Sequence, residues 1–155
     1  MKKLIYLLFM VMLVGGCATT PTAFPMKPGM LADFKINQSI TIQNTGTEES
    51  FINWTNSTID CLSKEIEKRG ASITNDSPIV LKIAVTNKHQ NFFYAYWAYK
   101  CIISFRVETG SGYAKEFEIY DVSGLSLQRA CDFCITKAVA AVLNDKNIVS
   151  YLKNE

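Results

Sequence analysis

Apolar residues recur along most of this chain with the period of strands or of helices, and the breaks between periods mark its elements. Phe34, Ile36, Ile40 and Ile42 alternate with Lys35, Asn37, Thr41 and Gln43, the pattern of a half-buried strand. Asn44-Thr45-Gly46 ends it. Ser50 or a nearby residue then caps a helix that runs to Arg69 and stops at Gly70. Phe51, Thr55, Thr58, Ile59, Leu62 and Ile66 share one face of that helix, while Lys64, Glu65, Glu67 and Lys68 lie mostly elsewhere. Asn75-Asp76-Ser77-Pro78 is a turn. Ile79, Leu81, Ile83 and Val85 alternate with Val80, Lys82, Ala84 and Thr86 in a second strand, and Tyr99, Cys101, Ile103, Phe105 and Val107 mark a third. Thr109-Gly110-Ser111-Gly112 reads as a hairpin turn into a fourth strand, with Tyr113, Phe117 and Ile119 inward and Glu116 and Glu118 outward. Helical period returns over residues 125–143, where Leu127, Cys131, Cys134, Ala138, Ala141 and Val142 form one stripe. Asp145 caps a last short turn that returns Ile148 and Leu152 to the body.

The order β-α-β-β-β-α gives two helices with one apolar face each. They must cover one face of a four-stranded mixed sheet, so the fold expected is α+β, a two-layer sandwich. A right-handed crossover makes the first two strands parallel, and the last three form an antiparallel meander. Residues 34–155 are expected to form this single domain, without a repeat.

Two stretches fall outside these periods. Lys2 and Lys3 precede an apolar run over residues 4–14, followed by Gly15, Gly16 and Cys17. Charged, apolar and small segments in that order make a signal peptide. The cysteine directly after the small residues resembles the lipobox of bacterial lipoproteins. That resemblance implies cleavage after residue 16, diacylglycerol on the Cys17 sulfur and acylation of the new amino terminus, so that the membrane is a partner through covalent lipid. An ordinary secretory signal is the alternative; a spanning helix would need about 20 apolar residues. Residues 17–33 then hold the lipidated cysteine and three of the four prolines. Proline fixes φ and removes backbone donors, so residues 18–33 read as an extended tether reaching roughly 50 Å.

Export also changes the charge. The chain has 16 basic and 14 acidic residues, and Lys2 and Lys3 leave with the signal, so the mature chain is formally neutral. A neutral domain has no electrostatic case for nucleic acid. Four further cysteines remain: Cys61, Cys101, Cys131 and Cys134. In an exported chain they allow up to two disulfides by any of three pairings, or buried thiols.

Cys131-Asp132-Phe133-Cys134 has the spacing of a redox motif, but such a motif works at a helix N-terminus, where the helix stabilises a thiolate. Here it lies inside a helix with both sulfurs toward the sheet, which favours core thiols or a structural disulfide from Cys101 to Cys131 or Cys134. Thiol–disulfide exchange and a zinc site with Cys61, Cys101 or His89 are weaker readings. His89, the one histidine, sits in the polar run Asn87-Lys88-His89-Gln90-Asn91 and reads as a solvated loop residue. No catalytic, metal or cofactor motif is present, so no enzyme activity and no cofactor are expected.

Residues 92–99, FFYAYWAY, place six aromatics in eight positions: Phe92, Phe93, Tyr94, Tyr96, Trp97 and Tyr99. A strand buries only alternate side chains, so part of this set must face outward or fold back as a hairpin. Phe92, Phe93, Tyr94, Tyr96 and Trp97 are the candidate surface for an envelope protein, a lipid or a glycan, because aromatics combine large contact area with few rotors.

The layout looks like the small envelope lipoproteins of the YajG and LptE type and the auxiliary lipoproteins of the PqiC kind. The residues that carry this are Leu62-Ser63-Lys64-Glu65-Ile66-Glu67-Lys68-Arg69-Gly70 before the strand over 79–85, and Ala138-Val139-Ala140-Ala141-Val142-Leu143-Asn144-Asp145 with residues 148–152. The resemblance implies a non-enzymatic accessory lipoprotein with a periplasmic domain. Ala18 after the lipidated cysteine is not the aspartate that resembles an inner-membrane retention signal, so the outer membrane is the expected site. If the aromatics are a binding surface, Trp97→Ala with Tyr96→Ala cuts partner capture and leaves the melting temperature nearly unchanged. A large loss of stability would place them in the core instead.

Overall fold

A computed structural model describes residues 22–27, 29–94 and 97–155. The signal residues, Cys17 and Tyr96 lie outside the described residues. The elements are β1 (Ser39–Asn44), α1 (Glu49–Glu67), β2 (Ser72–Ile73), β3 (Val80–Phe93), β4 (Ala98–Thr109), β5 (Ala114–Ser123), α2 (Leu127–Leu143) and α3 (Lys146–Lys153). They build one five-stranded sheet in the order β2-β1-β3-β4-β5. β1 is parallel to β2 and β3, and β3, β4 and β5 form an antiparallel meander. α1 lies over β1 and β3, and α2 over β4 and β5. The mixed α+β class and the single covered face agree with the sequence; the four-stranded sheet and its element order do not.

The missed strand is β2. Two residues are too short to show a period, and β2 exists because β1 offers a free edge. Ser72 donates its amide to the Gln38 carbonyl at 3.2 Å, and Thr74 donates to that of Ile40 at 3.0 Å.

β3 runs eight residues past Val85, through the segment read as a loop. Asn44 is the last β1 residue to pair with it, opposite Ile83. Beyond that point α1 takes over the exposed edge: the buried Thr55 hydroxyl accepts the Val85 amide at 3.0 Å. The β3–β4 register then shifts between Val85 and Asn87. Thr86 is an extra, exposed residue, and because side chains alternate, everything after it changes face. Lys88, Gln90 and Phe92 pair with Ile103, Cys101 and Tyr99 on the helix side. His89 is therefore an exposed strand residue opposite Ile102, not a loop histidine.

The core sits between sheet and helices. Leu81, Ile83, Cys101, Ile103, Phe105, Val107, Leu62, Ile66, Cys134, Ile135, Ala138 and Val142 are fully buried, and Phe105 stacks on Phe117 with centroids 5.0 Å apart. α3 closes the end where β1 and β3 begin. Asp145 caps it by accepting the Asn147 and Ile148 amides at 3.1 Å. The Tyr151 hydroxyl accepts from Val80 at 2.9 Å and Gly110 at 3.1 Å, and Gln38 donates its side-chain amide to the Leu152 carbonyl.

The stretch expected to be a free tether is extended but held along α2. The Thr22 amide donates to Asp132 Oδ1 at 2.8 Å and the Phe24 amide to Thr136 Oγ1 at 2.9 Å. Phe24 stacks on Phe133 with centroids 4.5 Å apart. Farther on, Asn144 accepts from Ala32 and donates to the Met30 carbonyl. This strap explains why eleven of the 17 residues of α2 are buried, more than a helix resting on a sheet would hide. On α1, Glu65 is buried rather than outward, 2.5 Å from Lys68 Nζ and 3.3 Å from Arg69 Nη1.

Thr55→Val keeps the side-chain shape and leaves the Val85 amide without its acceptor. Urea unfolding should show a loss of about 1–3 kcal/mol with an unchanged m-value; wild-type stability would mean that the β3 edge finds another acceptor.

Candidate functional site

The projecting β3–β4 hairpin carries the aromatic segment. Phe92 is half-buried at its centre, with its ring edge-on to Tyr94 at 4.8 Å and to Trp97 at 6.3 Å, and tilted on Tyr99 at 4.7 Å. The outer rings of this cluster stay in solvent: Tyr94 is 80% exposed, Trp97 75% and Phe93 42%. Trp97 has φ +47°, a conformation that costs an L-residue about 1–2 kcal/mol. Its amide meets the Tyr94 carbonyl at 3.4 Å, closing the tight turn that presents the indole outward.

The site is wider than the aromatic run. β5 ends beside the hairpin, with Ser123 opposite Tyr99, and a side chain added at Gly124 would come 4.0 Å from the Trp97 carbonyl. Leu125, 73% exposed, follows, and Ser126 caps α2 by accepting the Arg129 amide at 3.1 Å. On the uncovered face of β5, the edge strand, Tyr120 and Val122 are also exposed. Lys100 Nζ lies 4.9 Å from the Tyr120 ring. Among the described residues the exposed large hydrophobics are these six and Ile52 on α1. The sequence held a signal for the missed members: the outward positions Glu116 and Glu118 continue by alternation to Tyr120 and Val122.

The cysteines form a second grouping. Cys101, Cys131 and Cys134 come together from β4 and α2 as buried free thiols. Cys134 Sγ lies 3.2 Å from the Cys101 carbonyl, and Gln90 Nε2 donates to Cys131 Sγ at 3.1 Å. Hydrogen bonding to Cys131 and Cys134, with burial, pushes the Cys101 thiol up. The contact with Cys101, aided by Gln90, holds Cys131 below its ordinary value against the effect of burial. The structure thus unites the three residues named for a disulfide without bonding them. Cys61 stands apart on α1, half-buried in an open groove of about 740 Å³ between α1 and residues 22–25 of the strap. Among the described residues no group of three or more His, Cys, Asp or Glu is placed to hold a metal ion, and no helix is long and apolar enough to cross a membrane.

No protein-family model and no curated protein matches the chain. Solved structures do. A Xanthomonas campestris protein of the DUF330 family has a TM-score of 0.56 at 9% identity, over 86% of this chain and 95% of that one. That likeness is one of fold alone. The minor lipoprotein of Acinetobacter baumannii aligns at 6% identity with a TM-score of 0.43, over 71% of this chain and 92% of its own. The Neisseria meningitidis lipoprotein GNA1162 aligns at 13% with 0.42, over 70% and 99%. The structural neighbours therefore include bacterial lipoproteins.

Burial, and next the Glu65 carboxylate, push the Cys61 thiol up to about 11. At pH 8 its thiolate fraction is then roughly 200-fold below that of an unfolded cysteine. Iodoacetamide labelling read by mass spectrometry should show at least about that slowing in the native protein, with the rate climbing tenfold per pH unit up to about pH 10. Ionising Cys61 opposes folding, so its contribution to stability is complete below the unfolded value near 8.5 and is lost as pH rises through about 11. Native labelling as fast as in urea would refute the burial.

Proposed function

We propose that this chain is a membrane-anchored envelope lipoprotein with no enzymatic role, whose domain is an accessory module that binds an envelope component. The observation that carries the reading is the gathering of Phe93, Tyr94, Trp97, Tyr120, Val122 and Leu125 at and beside one end of a domain whose other large apolar side chains, among the described residues and Ile52 apart, are buried or half-buried. A contiguous exposed apolar patch marks an interaction site, whereas apolar residues scattered singly do not. Trp97 is held there at a backbone cost, and core packing does not account for its direction.

Anchorage rests on Gly15, Gly16 and Cys17. Three acyl chains at ~0.8 kcal/mol per buried methylene make detachment negligible, whereas one chain would be marginal. Ala18 supports the outer membrane, with the domain in the periplasm. Burial of Cys101, Cys131 and Cys134 supports a structural role for these thiols over exchange chemistry, since the attacking thiolate must be reached.

In cells, Cys17→Ala should leave the signal uncleaved and the chain without its diacylglyceryl mass. A photocrosslinker at Tyr94 should yield adducts that the same probe at Asp76, on the far end, does not. Normal processing of Cys17→Ala would sink the anchorage reading, and equal adducts from both positions would sink the binding surface.

A further inference from the structure

The aromatic end and Thr22, the first described residue, lie toward the same end of α2. Thr22 is hydrogen-bonded to Asp132, and Phe24 is packed on Phe133. Asp132 is six residues beyond Ser126, the cap of α2, so Thr22 enters about 9 Å along that helix from its start. The start of α2 adjoins the hairpin through the Tyr99–Ser123 pair and the approach of Gly124 to Trp97. Only four residues separate Cys17 from Thr22, and the five Cα steps between them span at most ~18 Å fully extended. The strap thus turns a leash that could have held the domain far from the lipid into a short one.

We infer that the component bound by the aromatic end is the lipid surface of the membrane that holds Cys17. The inference rests on the anchorage reading above. With so short a leash, the end of the domain nearest Thr22 is the end brought to the membrane. That end presents tyrosine and tryptophan, whose amphipathic rings favour the headgroup boundary, beside Phe93 and Leu125, which favour acyl chains. Basic side chains stand just behind it. Lys88 Nζ is 4.9 Å from the Trp54 ring, and Arg129 lies 5.4 Å from the Phe24 ring. Lys100 borders Tyr120 on the other face of the sheet. These cations lie where lipid phosphates would be when the tip reaches the interface. The far end, by contrast, carries the exposed polar turn Asn75-Asp76 and the polar start of α3. The aromatic tip is then a foot that fixes the domain's orientation.

The test uses the lipidated full-length mature protein in phosphatidylethanolamine–phosphatidylglycerol vesicles carrying brominated acyl chains. The chain has two tryptophans, and Trp54 is buried. Bromine should quench emission and leave a residue from Trp54; in Trp97→Phe the bromine-dependent loss should fall to background. Asp76→Trp in that background should restore emission that bromine does not quench. Protein that floats with the vesicles but shows no Trp97-dependent quenching, or equal quenching at position 76, overturns the inference and leaves the anchorage intact. Protein that lacks the diacylglyceryl mass or fails to float overturns the anchorage reading and this inference with it.

Discussion

One unpaired residue in a strand governs the upper half of this domain. Thr86 interrupts the alternation of β3, so Val85 and Gln90 both face the helices although they lie five positions apart, a spacing that puts residues of an unbroken strand on opposite faces. Without that interruption, His89 and Asn91 would point into the helix layer, and Gln90 and Phe92 would point to solvent. With it, Gln90 reaches Cys131, Lys88 covers Trp54, and Phe92 gathers Tyr94, Trp97 and Tyr99 around one ring. The bulge lies where β1 runs out and α1 supplies Thr55 in its place. The change of face and the change of edge partner are solved within three residues.

α2 is the second organising element, because it is enclosed on several sides. A helix on a sheet needs one apolar stripe; α2 also buries Asp132 and Thr136, which are polar because they meet the backbone of the strap rather than the core. The strap's backbone groups would otherwise lie on an apolar surface without partners, at a cost comparable to a lost hydrogen bond. Domain and strap are coupled in this way through two side chains on the outer face of one helix.

Period-based reading recovered what periods encode: the strands with inward Leu81, Ile83, Cys101, Ile103 and Phe105, the amphipathic α1, the cap at Asp145 and the parallel pairing of β1 with β3. It lost what depends on tertiary partners. β2 has no period at two residues, the bulge at Thr86 has no composition of its own, and the polar run over 87–91 conceals a strand because only one of its faces is covered. The strap looked free because prolines report local backbone and say nothing of what lies beside them. For the site, the aromatic density of residues 92–99 was visible. Its junction with Leu125, and with Tyr120 and Val122 on β5, was not, since only the meander brings that strand's end to the hairpin. The thiol grouping was anticipated as far as Cys101, Cys131 and Cys134; Gln90 as their neighbour requires the bulge.

The strap joins the ends of the chain in order of synthesis as well as in space. Thr22 and Phe24 find their partners 110 and 112 residues later, on a helix made near the end of the chain. Until α2 has arrived and packed, the hydrogen-bond partners of Thr22, Phe24 and Ala32 are missing, and in a chain anchored as proposed above the proline-bearing segment is slack. Docking takes up that slack. With the anchorage proposed above, it draws the domain toward its anchor, so that a step of folding doubles as a step of approach.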